Sequence, residues 1–395
     1  MKSKIFLALF FLSVLACCKN QKNSNTKSST KIQSIVELPL YNSKEDYSME
    51  IIRLSEFVDS VKFIKLETTD ENLIKDISKI LFIDDEIVVV DKMGGKIFVF
   101  DKNGNYTRKI ANRGRGPGEY LSITSCNYDS DRQIFSIYDD NSCKLLLYYR
   151  NGEFIKESSI VTENGAAIDD VINLHTGNYL CYNSITTREV GNYSGLWEMD
   201  SDGNFVKNLF KYNTVVPFIY NPGHSNFSIL TDGTIILRDA MYHDIYLYKD
   251  GDIKKYLSYN IKDDILYKYQ GLVLAEEGYV FCMTSQIKSN YIINWWKDKT
   301  FSTFFSLYKE DDNIKFTDSF DDSDVNDAIW AQKMIDSNMN DALIVEISSM
   351  VILELLNNEN TPQYLKNRIA NLKGDKSEEE IENMNPILEL LYLKK

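Results

Sequence analysis

The architecture is most clearly encoded in Asp101-Lys-Asn-Gly-Asn-Tyr106, a polar turn between two segments rich in Ile, Val and Phe. Similar turns follow in Arg150-Asn-Gly-Glu-Phe154, Asp200-Ser-Asp-Gly-Asn-Phe205 and Lys249-Asp-Gly-Asp-Ile253. The glycines of the four turns are 48, 51 and 48 residues apart. A period of about 40 to 50 residues with β-rich flanks is typical of a β-propeller, in which each repeat forms one blade. We therefore predict an all-β propeller.

Short apolar runs divide each repeat into four strands, separated by Asp, Gly, Asn and Lys. In the first unit the runs are Ile77–Ile83, Glu86–Asp91, Lys96–Asp101 and Tyr106–Ile110. Comparable sets recur within residues 123–157, 166–210 and 226–258. A fifth unit is predicted from Gly271–Ala275, Gly278–Met283, Asn290–Trp296 and Phe301–Leu307, and a sixth from Ile314–Phe316, Ala342–Ile347 and Ile387–Leu393. The pattern predicts a six-bladed propeller.

The sixth unit is one strand short and is interrupted by a helical pattern. Val61–Leu66 alternates between apolar and polar residues, and we expect it to lie beside the C-terminal strand, so that strands from both termini share the last blade. Such closure removes exposed sheet edges. A helical insertion is predicted at about 348–373, in which Thr361 caps a second helix, Pro362 is its first residue and Gly374 ends it.

The first residues indicate export. Ile5–Ala16 is almost entirely apolar, follows a basic start and is too short to span a bilayer as a helix. It runs into Val14-Leu-Ala-Cys17, which resembles a bacterial lipobox. We predict a lipoprotein signal peptide at 1–16 and lipidation of Cys17. An ordinary signal peptide that happens to contain cysteine is the alternative, and Cys18 is less suitable because a small residue is preferred before the lipidated cysteine.

Residues 17–36 are predicted to be a disordered tether, since Lys19–Lys31 contains neither acidic nor apolar residues. The propeller would then occupy 37–395. The chain has 44 Lys and Arg against 58 Asp and Glu, and six of the lysines precede residue 32, so the propeller carries a net charge of about −20. Such a charge disfavours nucleic acid and anionic lipid as partners.

The remaining cysteines, Cys126, Cys143, Cys181 and Cys282, are widely spaced and lie in apolar, strand-like runs. We predict buried thiols, with a Cys126–Cys143 disulfide as the alternative in an oxidising compartment. No metal site is predicted, because the chain has three histidines in separate loops and lacks a zinc-type spacing.

The glycine-rich segment Arg113-Gly-Arg-Gly-Pro-Gly-Glu-Tyr120, preceded by Lys96–Tyr106, resembles the NHL-like six-bladed β-propeller lipoproteins of Bacteroidota. Phe63-Ile-Lys-Leu-Glu-Thr-Thr69 and Asn385–Lys394 extend the resemblance over roughly residues 50 to 395. It implies a lipid anchor and an extracytoplasmic location. The family has no agreed activity, so no catalytic residue can be carried over. Cys18-Lys-Asn-Gln-Lys22 lacks the acidic residues that favour surface export in some relatives, which favours the periplasmic side of the outer membrane.

In a four-stranded blade, the hairpin between the second and third strands and the crossover to the next blade emerge on one face. This topology predicts a ligand-binding site formed by Arg113, Arg115, Glu119, Tyr120, Tyr242 and His243 at the mouth of the central channel. The arginines could clamp a carboxylate, sulfate or sugar acid. Alternatively, the glycines and Pro117 shape a tight crossover, and the arginines bond to neighbouring carbonyl groups.

No catalytic motif is present in the sequence, and none of the site residues is predicted to be catalytic. We therefore expect a membrane-tethered, extracytoplasmic propeller that binds a ligand or a protein at its channel face. The ligand class expected is a saccharide or an acidic small molecule, the protein partner would belong to the cell envelope, and the protein would be a monomer without a cofactor. The alternative is a lyase or hydrolase acting on glycan or peptide at the same face.

Overall fold

The repeated glycine turns close four β-hairpins in the computed structural model. Gly104, Gly152, Gly203 and Gly251 have φ between 90° and 92°, a left-handed conformation that glycine adopts at little cost. In the first of these turns, the Asp101 carboxylate accepts hydrogen bonds from the backbone N–H groups of Asn103 and Asn105 at 2.8 and 3.0 Å. The turn chemistry read from the sequence is therefore correct at all four positions.

The structure describes residues 37–39, 47–162, 165–184, 191–212, 225–239, 244–260, 283–288, 290–297, 302–309, 313–325, 328–330 and 333–395. The whole predicted tether with Cys17, and Tyr242 and His243 of the predicted site, lie outside these residues. Ile35–Lys395 forms one compact unit. No helix among the described residues is long and apolar enough to cross a bilayer.

Short N-terminal strands precede a series of antiparallel sheets. The first strands are β1 (Glu37–Pro39), β2 (Ile52–Arg53) and β3 (Val58–Lys65), with a 3-10 helix at Leu54–Glu56. Sheet 1 contains β4 (Lys79–Ile83), β5 (Glu86–Asp91), β6 (Lys96–Asp101) and β7 (Tyr106–Lys109), and is followed by the short parallel pair β8 (Asn112–Arg113) and β9 (Glu119–Tyr120). Sheet 2 contains β10 (Ser125–Asp129), β11 (Ile134–Asp139), β12 (Lys144–Tyr149) and β13 (Phe154–Ser159).

The same antiparallel order continues along the chain. Sheet 3 contains β14 (Asp170–Asn173), β15 (Tyr179–Asn183), β16 (Gly195–Met199) and β17 (Phe205–Phe210), with a 3-10 helix at Gly191–Tyr193. Sheet 4 contains β18 (Phe227–Ile229), β19 (Ile235–Arg238), β20 (Ile245–Lys249) and β21 (Asp252–Asn260), and β1 lies parallel to β21. Sheet 5 contains β22 (Met283–Lys288), β23 (Tyr291–Lys297), β24 (Thr303–Lys309) and β25 (Lys315–Thr317). β26 (Phe320–Asp321) pairs with β2.

Sheet 6 combines strands from both ends of the chain. It contains β27 (Met334–Ser337), β28 (Ala342–Ile347), β29 (Ile387–Leu393) and, on its outer side, β3. The strands β29 and β3 are antiparallel, with Ile387 opposite Lys65 and Tyr392 opposite Ser60. This is the pairing that the alternating pattern at Val61–Leu66 predicted. A short parallel bridge between β27 and β4 also connects sheet 6 to sheet 1.

Apolar side chains fill the space between neighbouring sheets. The β-branched and aromatic residues of each strand alternate between its two faces, so each sheet has an apolar layer on both sides. Buried contacts join sheets 1 and 2 (Val88, Val99, Phe135), sheets 2 and 3 (Tyr138, Val171, Trp197), sheets 3 and 4 (Tyr182, Phe227, Leu237), sheets 4 and 5 (Ile236, Ile292, Phe304), sheets 5 and 6 (Ile293, Phe305, Val345), and sheets 6 and 1 (Ile344, Leu388, Val89).

The fifth and sixth units differ from the sequence prediction by one strand. Asn290–Trp296, predicted as the third strand of unit five, corresponds to the second strand β23. Ile314–Phe316, assigned to unit six, corresponds to β25, the last strand of sheet 5, and sheet 6 begins instead with β27. Extrapolating the period to Lys299 places the glycine turn one hairpin too early, since this position falls between the second and third strands, β23 and β24. The predicted strand Gly271–Ala275 lies outside the described residues, and so does Gly278–Met283 apart from Met283, which is the first residue of β22.

The helical insertion lies between β28 and β29 and is longer than predicted. Its helices are α1 (Ser349–Asn357), α2 (Gln363–Lys373) and α3 (Glu378–Glu382), where 348–373 was expected. Pro362 is the N-cap of α2 rather than its first residue, since its ψ of 142° remains extended. Thr361 therefore does not cap the helix, whereas Gly374 ends it as expected. Ile352, Ile369 and Ile381 pack against Ile347 and Ile387 of sheet 6.

The cysteines of the described residues are not paired. Cys126 and Cys181 are buried and Cys143 is exposed, and all three are free thiols. The alternative of a Cys126–Cys143 disulfide is therefore wrong, and so is the expectation that Cys143 is buried. Burial raises the pKa of the Cys126 thiol to about 12, so this cysteine is inert. Cys282 lies outside the described residues.

Candidate functional site

The predicted site residues Arg113, Arg115, Glu119 and Tyr120 lie on the crossover from sheet 1 to sheet 2. Arg113 is exposed, and its Nε donates a hydrogen bond to the carbonyl of Leu121 at 3.0 Å. Arg115 is exposed, with no hydrogen bond or ion pair to another described residue. The contact of Arg113 agrees with the alternative interpretation of this segment, in which it shapes the crossover.

Glu119 and Tyr120 hold the crossover itself together. The Glu119 carboxylate accepts a hydrogen bond from the N–H of Gly116 at 2.8 Å, and a Cβ at Gly114 would come within 2.0 Å of it. Tyr120 is 1% exposed and its hydroxyl donates to the carbonyl of Gly95 at 3.0 Å. These two side chains therefore have structural contacts, and binding at this loop stays a prediction.

A second polar region lies where the first strands of the sheets approach one another. We call it the inner belt, and it consists of side chains that connect one first strand to another. Between sheets 1 and 2, Lys79 Nζ donates a hydrogen bond to Asn127 Oδ1 at 2.7 Å. Ser225, just before the first strand of sheet 4, donates through its Oγ to Asp170 Oδ2 of sheet 3 at 2.7 Å and through its N–H to Asp336 Oδ2 of sheet 6 at 2.8 Å. From sheet 5, Gln286 Nε2 donates to Asp336 Oδ1 at 2.8 Å, and Lys288 Nζ donates to the Ser337 carbonyl at 2.9 Å. The belt thus joins sheets 1 and 2, 3 and 4, 4 and 6, and 5 and 6.

A cavity of about 410 Å³ lies beside the inner belt. Lys79 and Asp336 contribute to its lining at the belt. Residues of the turns that follow the first strands, such as Asp84, Ser130 and Asn338, contribute at its other end. The lining also contains the apolar residues Leu81, Phe82, Ile83, Tyr128, Ile172, Phe227, Ile229 and Leu230 and the polar residues Asn127, Gln133, Arg150, Ser228, Ser337 and Asn340. The size of the cavity is in the range of small-molecule sites, and its walls offer both apolar contacts and polar partners.

The cavity opens on the opposite face from the predicted site. Its lining includes Arg150, which belongs to the glycine turn between β12 and β13. In an antiparallel sheet these turns lie at the end away from the crossover that carries Arg113–Tyr120. The cavity therefore lies on the face of the glycine turns, whereas the sequence predicts a binding site on the opposite face, where the crossovers emerge.

Lys79 is a charged residue of the cavity that the site predicted from the sequence does not include. It is the first residue of β4, is largely buried, and its pKa is lowered because burial removes the hydration of the ammonium group. The negative charges of Asp170 and Asp336 act in the opposite direction. A lysine inside the apolar run Ile77-Ser-Lys-Ile-Leu-Phe-Ile83 was the available signal, since a charged residue in a buried strand needs a specific partner.

The two acidic groups of the belt already have donors. Asp170 Oδ2 accepts from the Ser225 hydroxyl and from the Asn226 N–H, both at 2.7 Å. Asp336 accepts from Ser225 and Gln286, and Arg238 Nη2 lies 3.5 Å from its Oδ1. Their charges are therefore stabilised by hydrogen bonds rather than by a direct ion pair with Lys79.

The described residues provide no evident metal site. No group of three or more His, Cys, Asp and Glu side chains within them is arranged to hold a metal ion. His175 is exposed, and its Nδ1 lies 2.9 Å from Asp131 Oδ2.

Residues 38–391 match a family described as a domain of unknown function, DUF4934. The chain belongs to the DUF4934 family. The sequence resembles NHL-like propeller lipoproteins, but the family whose model matches is DUF4934 and not an NHL family. No curated protein matches this DUF4934 chain significantly.

Solved structures share the fold of this DUF4934 protein at low sequence identity. A candidate exported protein from Bacteroides fragilis superposes with a TM-score of 0.73 at 15% identity, over 92% of this chain and 100% of that chain. A member of the DUF4221 family from Bacteroides vulgatus superposes with a TM-score of 0.50 at 12% identity, over 85% of this chain and 97% of that chain. These similarities establish a shared fold, and they carry no information about ligands.

Proposed function

We propose that this protein is an extracytoplasmic β-propeller that binds a small organic ligand in the cavity beside the inner belt. The observation that carries this proposal is the cavity itself, which combines apolar walls with the buried ammonium group of Lys79. The site is placed here rather than at Arg113–Tyr120 because the side chains of Glu119 and Tyr120 are already used within that crossover.

The proposed architecture is a closed ring of six blades, formed by sheets 1 to 6. Two observations support it. Apolar contacts join each sheet to the next and join sheet 6 to sheet 1. In addition, the backbone of three of the four repeated turns approaches the last strand of the preceding sheet: Gly152 lies near Lys109, Gly203 near Ser159, and Gly104 near Lys65 of β3. In this ring β3 takes the place of the fourth strand of the sixth blade.

The proposed location is the periplasmic side of the outer membrane, with the protein anchored through lipid on Cys17. The lipobox-like sequence supports this, together with the description of the similar Bacteroides fragilis protein as a candidate exported protein. Labelling with an alkyne-bearing fatty acid tests the anchor. Label should be lost in Cys17→Ser and kept in Cys18→Ser, and label that persists in Cys17→Ser would contradict it.

Ligand binding is tested with the full chain against a panel of neutral, anionic and cationic small molecules, read by thermal shift and by calorimetry. A Ser130→Trp variant should abolish the binding seen with the wild type, because Ser130 is exposed at the mouth of the cavity and an indole there would obstruct it. Ser159→Trp is the matched control, since Ser159 is exposed on the outer strand β13.

Three outcomes are informative in this experiment. Binding that Ser130→Trp abolishes and Ser159→Trp retains supports the cavity as the site. Binding that both variants retain places the site elsewhere and contradicts the proposal, as does the absence of any bound compound across the panel. Chemical conversion of a bound compound would identify an enzyme and replace the proposed binding function.

A further inference from the structure

Lys79 is an incompletely paired cation within the cavity. Among the described residues, its Nζ has Asn127 Oδ1 as a hydrogen-bond partner, and no carboxylate lies within ion-pair distance. An ammonium group has three N–H donors, so two remain for other acceptors. A buried charge without a counter-ion is costly, and a ligand that supplies one would recover part of that cost.

The other charged groups of the cavity lining are already compensated. Arg150 Nη1 lies 2.6 Å from Asp84 Oδ2, and Arg150 Nε lies 2.9 Å from Glu86 Oε2. Asp336 accepts the hydrogen bonds of the inner belt described above. The charge in this cavity that is available to a ligand is therefore the positive charge of Lys79.

The surroundings of Lys79 limit the size of the negative charge that it can accept. Asn127 Nδ2 already donates one of its two N–H groups to the Val171 carbonyl, so it has at most one further donor for a ligand. Asp336 also lines the cavity and would repel a multiply charged group. One ammonium group beside a carboxylate suits a single negative charge, whereas phosphate and other polyanions are usually bound by several donors.

The walls of the cavity determine the rest of the ligand. Aliphatic and aromatic side chains lie between Lys79 and the mouth, and they include Leu81, Tyr128 and Phe227. Contact with such walls favours an apolar body, since burial of apolar surface is stabilising in proportion to its area.

We propose that the cavity binds a monocarboxylic acid with an aliphatic or aromatic body, whose carboxylate pairs with Lys79 Nζ. This inference rests on the proposed function and specifies its ligand class. Of the two ligand classes expected from the sequence, it selects the acidic small molecule and adds an apolar body to it. The body of the acid lies along the apolar walls, and its carboxylate takes the two N–H donors that Asn127 leaves available.

The test compares acids with their uncharged amides on the full chain. The probes are 4-phenylbutyric acid with 4-phenylbutyramide and hexanoic acid with hexanamide, measured by calorimetry at neutral pH. The acids should bind at least about tenfold more tightly than the amides, because hydrogen bonds to charged groups are stronger than neutral ones. Lys79→Met should remove this preference, because the affinity for the acids should fall by more than the affinity for the amides. Lys102→Met, at an exposed lysine of a turn in sheet 1, is the control.

The outcomes separate this inference from the proposed function. Equal affinity for acid and amide in the wild type overturns the inference, as does an equal loss of both in Lys79→Met. In either case, amide binding that Ser130→Trp abolishes would leave the proposed function intact. If no probe and no panel compound binds, both fail. Should Lys79→Met not fold, as judged by circular dichroism, the acid and amide comparison in the wild type decides the question alone.

Discussion

Glu389 is a carboxylic acid in the middle of β29 that the fold buries completely. Its Oε1 accepts a hydrogen bond from the Ile329 N–H at 2.6 Å, and its Oε2 has no partner among the described residues. Burial raises the pKa of Glu389 to about 8, and the nearby charge of Asp322 acts in the same direction, while Arg368 opposes it. The side chain is therefore protonated at neutral pH and carries no negative charge that could pair with a nearby cation such as Arg368.

This burial predicts a pH-dependent stability. An unfolded glutamate ionises near pH 4.3, so the folded protein binds one more proton than the unfolded chain between that pH and about 8. The contribution of Glu389 to stability is then fully present below about pH 4 and is lost as the pH rises towards 8. In urea unfolding at pH 8, the free energy of unfolding of Glu389→Gln should exceed that of the wild type by at least about 1 kcal/mol. This is a conservative value, because a pKa shift of one unit already corresponds to about 1.4 kcal/mol.

The difference between Glu389→Gln and the wild type should shrink as the pH falls towards 5, because both side chains are then neutral. Glu382→Gln serves as the control, since Glu382 is exposed at the end of α3 and should change stability little at any pH. A constant difference between Glu389→Gln and the wild type across this range would contradict the assignment of a protonated Glu389.

At the scale of elements, the repeated turns are the best-predicted part of the chain. The glycines and their Asp and Asn neighbours specify each turn locally, and the strands through Asn260 follow the expected order. Beyond that residue the spacing of the turns along the sequence changes, and position 299 is a lysine instead of a glycine. The strands predicted for units five and six are therefore displaced by one. Local chemistry determines a hairpin, whereas the length of a connection between sheets leaves no comparable signal.

Two of the turns differ in how closely they approach the preceding sheet. A Cβ at Gly104 would lie 2.1 Å from the carbonyl oxygen of Lys65, whereas at Gly152 the nearest atom, the Lys109 carbonyl oxygen, would be 3.6 Å away. Both residues have the same left-handed φ. Alanine at Gly152 should therefore cost only the backbone strain of about 1–2 kcal/mol, while alanine at Gly104 should add a steric cost of about 1–3 kcal/mol.

Chemical denaturation of Gly104→Ala and Gly152→Ala measures this difference, and Gly152→Ala serves as the matched control. A larger loss of stability in Gly104→Ala is expected because its turn contacts β3 directly, and the Glu67 N–H also donates to the Gly104 carbonyl at 2.8 Å. Equal losses in the two variants would show that this turn does not press on β3.

At the scale of the whole molecule, the pairing of β3 with β29 could be predicted from the sequence, but the position of the cavity could not. The partnership follows from alternation within Val61–Leu66 and from a missing strand in the last unit. The cavity depends on Lys79, Asn127 and Asp336, which come from three different sheets. Side chains that meet only after the sheets have packed leave no spacing in the sequence that would identify them together.

A cysteine pair across β3 and β29 tests the proposed ring. Ser60 and Tyr392 are opposite each other, and residues paired across antiparallel strands are close enough for a disulfide. The double variant Ser60→Cys with Tyr392→Cys should form an intramolecular disulfide on mild oxidation. We expect it to raise the free energy of unfolding by about 2–4 kcal/mol, because it restricts the unfolded chain.

Ser60→Cys alone is the control for reaction with the exposed Cys143. Peptide mapping should identify the 60–392 crosslink in the double variant, and reduction should restore the stability of the wild type. Failure of the two cysteines to react in the folded protein, when the same pair reacts after unfolding, would contradict the closed arrangement.

The pairing of β3 with β29 has a consequence for how this chain matures. The two strands are more than three hundred residues apart in sequence, and contacts between such distant segments form slowly. During synthesis β3 emerges early, whereas its partner β29 follows more than three hundred residues later. Until β29 has been made, β3 is an unpaired strand edge that can associate with other chains.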